Sequence, residues 1–185
     1  MSRRRPSISH GHGQGLAERT LPDVVAPGLK AIFCGLNPGN QAAAAGHHFE
    51  GRNNRFWPVL HQAGFTPRLL APAEDQALPA FGYGLTTAVA RPTASARELS
   101  RPEYLDAADE LARRMDRWRP RCIAFLGKAA WSAISGRGVV DWGGQAPTFA
   151  GASVWVLPNP SGLNRGFSQA ALVAAYRALR IALEA

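Results

Sequence analysis

Ala31-Ile32-Phe33-Cys34-Gly35-Leu36-Asn37-Pro38-Gly39-Asn40 is the stretch whose reading decides the fold. Its apolar run, bounded by Gly and Pro, reads as a buried strand over residues 30–36. The strand stops in Asn-Pro-Gly, which sets a polar side chain at its carboxyl end in a sharp turn. In an open parallel sheet that edge is where ligands bind. Val154-Trp155-Val156-Leu157 has the same form and runs into Pro158-Asn159-Pro160-Ser161-Gly162-Leu163. Two such strands would place two polar turns over one pocket.

Outward from this strand the pattern alternates. A short helical turn is expected at 41–46. A helix follows at 54–63, with Phe56, Val59, Leu60 and Ala63 on one face and Gly64 ending it. A second strand is expected at 84–89. Ser100 and Glu103 read as N-cap and capping-box partner of a helix striped by Leu105, Ala108, Leu111, Ala112 and Met115 and closed by Pro120. A third strand is expected at 121–126, a helix after Gly127-Lys128, a fourth strand at 154–157 and a last amphipathic helix at 168–183. This order predicts an α/β fold, a three-layer α/β/α sandwich with a mostly parallel sheet of about four strands. We expect one domain at 21–185 behind a mobile basic tail at 1–20.

The formal net charge is +8 over 185 residues. Residues 1–20 hold four Arg and one Glu, so the rest keeps 17 basic against 12 acidic residues, still +5. A polyanionic partner, nucleic acid first, fits that balance. Arg113, Arg114, Arg117 and Arg119 read as a solvated face at a helix end instead. Cys34 and Cys122 sit in apolar runs and read as reduced core residues of a cytosolic protein. No run approaches a membrane span and no signal peptide is visible. Gly127-Lys128 lacks the rest of a phosphate-loop pattern, and Gly11-His12-Gly13-Gln14-Gly15 has no strand before it. His47-His48 has no metal-ligand spacing and reads as polar surface, so no metal or cofactor is expected.

Asn37 cannot serve as a base near neutral pH, but its amide can hold a water or a polar substrate edge. The competing reading is a plain Asn-Pro-Gly turn. Leu163, beside Arg165 in a glycine-flanked loop, reads either as a wedge between bases or as a buried loop residue with a surface Arg. Phe49, between the two turns, has a ring suited to stacking on a base.

Gly35-Leu36-Asn37-Pro38-Gly39, Phe49, Asn54-Arg55-Phe56-Trp57, Arg91-Pro92-Thr93, Leu126-Gly127-Lys128 and Asn159-Pro160-Ser161-Gly162-Leu163 with Arg165 together resemble the mismatch-specific uracil/thymine DNA glycosylases, the bacterial Mug and thymine-DNA glycosylase group of the uracil-DNA glycosylase superfamily. The resemblance runs from about residue 27 to the last helix. It implies a monomeric, monofunctional enzyme of the bacterial cytoplasm, associated with the nucleoid. Such an enzyme removes uracil or a related pyrimidine opposite guanine from double-stranded DNA. By the same resemblance Asn37 would position the attacking water, and Leu36 would contact the base through its backbone. Phe49 would stack on the base and Asn159 would line its pocket. Ala42 would relax exclusion of a thymine methyl. Gly162, Leu163, Asn164 and Arg165 would form the wedge, with backbone groups of Gly162 and Asn164 reading the widowed guanine. Ala90, where relatives often carry Asp, and His47-His48, in place of a more apolar pair, depart from the pattern. The alternatives from other classes are a catalytically silent mismatch-binding module on the same fold and a nucleotide-binding enzyme unrelated to DNA.

Overall fold

Strand β1, Ala31–Gly35, is buried along its whole length. Successive side chains of a strand point to opposite faces, so Ala31 and Phe33 enter one core while Ile32 and Cys34 enter another. Strand β3, Cys122–Leu126, divides the same way, with Cys122, Ala124 and Leu126 on the first face and Ile123 and Phe125 on the second. Burial on both faces is why these segments read as unbroken apolar runs. The computed structural model that shows this describes residues 20–185. The expected tail at 1–20, with its glycine stretch, falls outside the described residues but for Thr20.

Strands β2, Tyr83–Thr87, and β5, Ala152–Leu157, complete the parallel part. The sheet order is β2-β1-β3-β5-β4, with β4, Gly143–Phe149, antiparallel to β5 at the edge. Helices α2, Phe56–Gln62, and α5, Gln169–Glu184, cover the first face; α3, Arg101–Trp118, and α4, Lys128–Ser135, cover the second. Short helix α1, Asn40–Ala45, follows directly on the Asn37 turn, and a 3₁₀ helix, Pro72–Phe81, precedes β2. Phe33 lies at the centre of the first core. It meets Phe56 and Phe65 edge-on at 5.6 and 5.2 Å and stacks on Tyr176 at 6.1 Å, tying β1 to both covering helices. Truncating such a ring to Ala costs ~3–5 kcal/mol. The three-layer α/β/α sandwich is as expected.

The sheet has five strands where about four were expected. Strand β4, Gly-Gly-Gln-Ala-Pro-Thr-Phe, carries two Gly and Pro147 and reads as a loop. It exists because an edge strand tolerates Pro, and its register slips between Gln145 and Phe149, around that Pro. Gly144 packs closely on the neighbouring strand there, since a Cβ would lie 3.3 Å from the Trp155 ring. Helix α2 begins at Phe56 and not at 54 because the Asn54 side chain accepts the Phe56 amide at 3.0 Å, an Asx turn ahead of the helix. On α3 the buried face is Tyr104, Leu111 and Met115, while Leu105 is exposed. Arg114 is not a solvated charge. It pairs with Asp23 at 3.1 Å and donates to the Thr86 hydroxyl and the Thr87 carbonyl, pinning α3 to β2. Cys34 and Cys122 are buried free thiols, and burial pushes them up to about 12 and about 11. No helix among the described residues is long and apolar enough to cross a membrane.

Candidate active site

Strands β1, β2, β3 and β5 are parallel, so their carboxyl ends share one edge. The Asn37 turn leaves β1 there and the Asn159 turn leaves β5. The turn after β1 is strapped to the segment after β2. Thr93 donates its amide to the Pro38 carbonyl at 3.1 Å, and Asn40 donates to the Thr93 carbonyl at 3.2 Å. Within this strap the Asn37 side-chain amide nitrogen donates to the Arg91 carbonyl at 2.8 Å and to the Thr93 hydroxyl at 2.7 Å. The Arg91 carbonyl can only accept, and the Thr93 hydroxyl gives its proton to the Ser95 carbonyl at 3.0 Å. Both partners therefore demand the nitrogen, which fixes the amide orientation. Oδ1 is left without a partner among the described residues, on a side chain that lines the cavity. The strap is anchored in turn. Arg91 binds Glu103 at 2.7 Å at the start of α3, and the Ser100 amide and then Arg91 hold the Glu103 carboxyl down to about 2.

Phe49 forms a wall of the same cavity. Its ring stacks on Phe56 at 3.9 Å and 20°, leaving the other face to the cavity. Its backbone has φ 57°, a left-handed conformation uncommon for a non-Gly residue. The neighbouring contacts hold that turn. The His48 amide donates to buried Asp75 at 3.0 Å, and Trp57 Nε1 donates to the His48 carbonyl at 3.1 Å. His48 is not polar surface, as its sequence suggested. It is 2% exposed, with Nε2 bonded to the Pro22 carbonyl at 2.8 Å, and burial lowers its pKa. His47 lies with Nδ1 3.6 Å from Asp75 and is half-buried.

The second turn roofs the cavity. Asn159 Oδ1 accepts the Ser161 amide at 2.9 Å, so its amide nitrogen is the group left for the cavity. Arg55 holds the loop from below. Its guanidinium donates to the carbonyls of Phe167 at 2.7 Å, Asn164 at 2.8 Å, Ser161 at 3.2 Å and Pro160 at 3.4 Å. Gly162 packs so tightly on Asn53 that a Cβ would fall 2.6 Å from its backbone. Leu163 stands 70% exposed at the tip, which excludes the reading of a buried loop Leu. Asn164 is consumed inside the loop. Its amide donates to the Ser161 carbonyl, its carbonyl accepts from Arg55, and its side chain bonds Asn159 and Gly166.

The cavity holds about 130 Å³, roughly ten times what one water needs. It opens beside a wider groove of about 720 Å³. Leu36, Asn37, Ala42, Phe49, Asn159 and Leu163 all line the cavity. Gly162, Leu163 and Arg165 line the groove, with Arg52 as a further cation. Asn164 lines neither. Sequence reasoning assigned no part to Arg55, Thr93 or Asp75. Arg55 and Thr93 stood inside the motifs, but the carbonyls that Arg55 binds, and Asn37 and Pro38 that Thr93 binds, lie more than fifty residues away in the chain. Asp75 sits in a Pro-rich stretch with no periodic signal. Among the described residues no three His, Cys, Asp or Glu side chains gather as a metal site.

A family model described as the uracil DNA glycosylase superfamily matches residues 22–180. Among solved structures, the solution NMR structure of a Methanosarcina acetivorans protein, presented as a candidate uracil DNA glycosylase, superposes with a TM-score of 0.56 at 22% sequence identity. The match covers 88% of this chain and 98% of that one. At that identity the likeness speaks for the fold.

Proposed function

Since the chain belongs to the uracil DNA glycosylase superfamily, we propose that it is a monofunctional DNA glycosylase removing uracil from mismatches with guanine in duplex DNA. Thymine and ethenocytosine opposite guanine are further substrates of the same pocket, where Ala42 presents only a methyl group to the wall. The enzyme works as a monomer on chromosomal DNA in the bacterial cytoplasm, without a cofactor, and so initiates base excision repair.

The observation that carries this reading is the locked amide of Asn37. A water needs an acceptor to orient it, and Oδ1 is the one atom of that amide with no protein partner among the described residues. A base inside the stack is out of reach, so it must be flipped, and a mispaired base costs least to extrude. The flipped pyrimidine stacks on the open face of Phe49. The free amide nitrogen of Asn159 donates to a carbonyl of the ring, and the Leu36 backbone makes a further contact. As the C1′–N1 bond breaks, its electrons pass to the base. A pre-aimed donor such as Asn159 then stabilises the departing pyrimidine anion. Water held by Asn37 forms the new bond to C1′, leaving an abasic site. No lysine lies at the cavity to form a Schiff base, since Lys30 and Lys128 are absent from its lining.

Leu163 fills the gap left in the stack, as apolar wedges do in bent duplexes. Arg165 and Arg52 neutralise phosphates along the groove. Gly162 reads the widowed guanine through its backbone. Asn164 takes a structural part in this account, because its own groups are already bonded within the loop.

Single-turnover cleavage of matched duplexes carrying uracil, thymine or ethenocytosine opposite guanine tests the function. Alkali-labile strand breaks at the uracil opposite guanine are expected. Intact strands in every duplex would contradict the proposal.

A further inference from the structure

Gly39, Glu50, Asn54, Ala94, Ser161 and Leu163 line both the narrower cavity and the wider groove. They form the threshold between the two. On the glycosylase reading, on which this inference rests, the base enters the cavity and the phosphates stay in the groove. The glycosidic bond joins the two parts, so C1′ comes to rest at the threshold. Glu50 is the single carboxylate among the residues lining either space. It follows Phe49, whose left-handed backbone turns the chain at the cavity wall. One of its oxygens, Oε1, accepts the Gly51 amide at 3.1 Å, which tethers the carboxylate and leaves Oε2 without a partner among the described residues.

The chemistry at C1′ lacks one participant. Asn37 can orient a water but cannot take a proton from it. The His48 imidazole, the other titratable side chain lining the cavity, is already bonded to the Pro22 carbonyl. Cleavage of a glycosidic bond develops positive charge on the sugar, and carboxylates flanking such a centre both stabilise it and deprotonate the incoming water.

We propose that Glu50 is a second catalytic group of this site, acting at C1′ together with Asn37. The C1′–N1 bond breaks with its electron pair going to the base. The water oxygen bonds to C1′, and its surplus proton goes to the free oxygen of Glu50, which later returns it to solvent. The departed pyrimidine anion is neutralised by a solvent proton. Before that transfer the carboxylate faces the positive charge that builds on the sugar.

The test is single-turnover cleavage of a uracil·guanine duplex with the full chain, Glu50→Gln and Glu50→Ala, alongside binding of a duplex holding an abasic-site analogue. Glu50→Gln is expected to lose roughly 100-fold at neutral pH, at the lower end of the ~10²–10⁴ that a positioned general base contributes. Its binding of the abasic-site duplex should be retained. Added formate should restore part of the rate of Glu50→Ala and none of that of Glu50→Gln, whose side chain fills the space. A Glu50→Gln enzyme with wild-type rate would overturn the inference, as would a loss of rate matched by an equal loss of binding. Wild-type protein inert on every lesion would instead overturn the glycosylase reading, and this inference with it.

Discussion

Burial holds the His48 imidazole below its ordinary value of 6.5, and the Pro22 carbonyl, Asp75 and Asp23 offset this only in part. The unfolded chain therefore takes up a proton as pH falls through 6.5, while the folded chain resists it until lower pH. Stability is full above 6.5 and declines below it. His48→Gln keeps a neutral donor for the Pro22 carbonyl and does not titrate. Between pH 6.5 and about 5 the melting temperature of the wild type should fall more than that of His48→Gln; equal declines would show that His48 does not set this dependence. The same residue marks the limit of reading side chains one at a time. Asn37 was legible because it ends a strand in a turn, and the resemblance of its surroundings gave it a role. His48 was not, because its partners Pro22 and Asp75 lie 26 and 27 residues away and nothing in a Gly-His-His-Phe string points to them.

At the scale of elements, strands buried on both faces were readable and the glycine-rich edge strand was not. Strands β1, β3 and β5 announce themselves as apolar runs, whereas β4 hides behind Gly and Pro. The loop that carries Leu163 is held for a reason that its own sequence does not contain. Arg55, at the entrance to α2, donates to four of its carbonyls and so fixes the height at which Leu163 projects. A lysine is a single point donor without the planar fork and cannot serve carbonyls spread along the loop. Arg55→Lys should lower unfolding stability by about 1.5–3 kcal/mol, the worth of a lost charged hydrogen bond, as read by urea denaturation. It should also weaken binding to a mismatched duplex, because the loop then has to be ordered on the DNA. Unchanged denaturation midpoint and affinity would mean that the loop is held by its internal turn alone.

Across the whole molecule, the parallel sheet brings the candidate site together by sending the turns after β1, β2 and β5 to one edge. That edge carries Asn37 from β1, the Thr93 strap from β2 and Asn159 from β5, so residues 37, 93 and 159 meet although they are far apart in the chain. The two Asn-Pro turns were visible in the sequence as a matched pair, and the sheet explains why a matched pair is useful. What the sequence did not show was orientation: which end of the Asn37 amide faces the cavity is set by Arg91 and Thr93, and which end of Asn159 by Ser161. On the glycosylase reading the oxygen of Asn37 holds the attacking water. The direct measurement compares wild type and Asn37→Ala on one uracil·guanine duplex, scoring single-turnover cleavage and equilibrium binding together. Cleavage should drop on the order of 10²–10³-fold or further, the scale of losing one pre-aimed polar group, with binding retained. An Asn37→Ala protein that cleaves at the wild-type rate, or one whose loss of cleavage merely tracks a loss of binding, would contradict it.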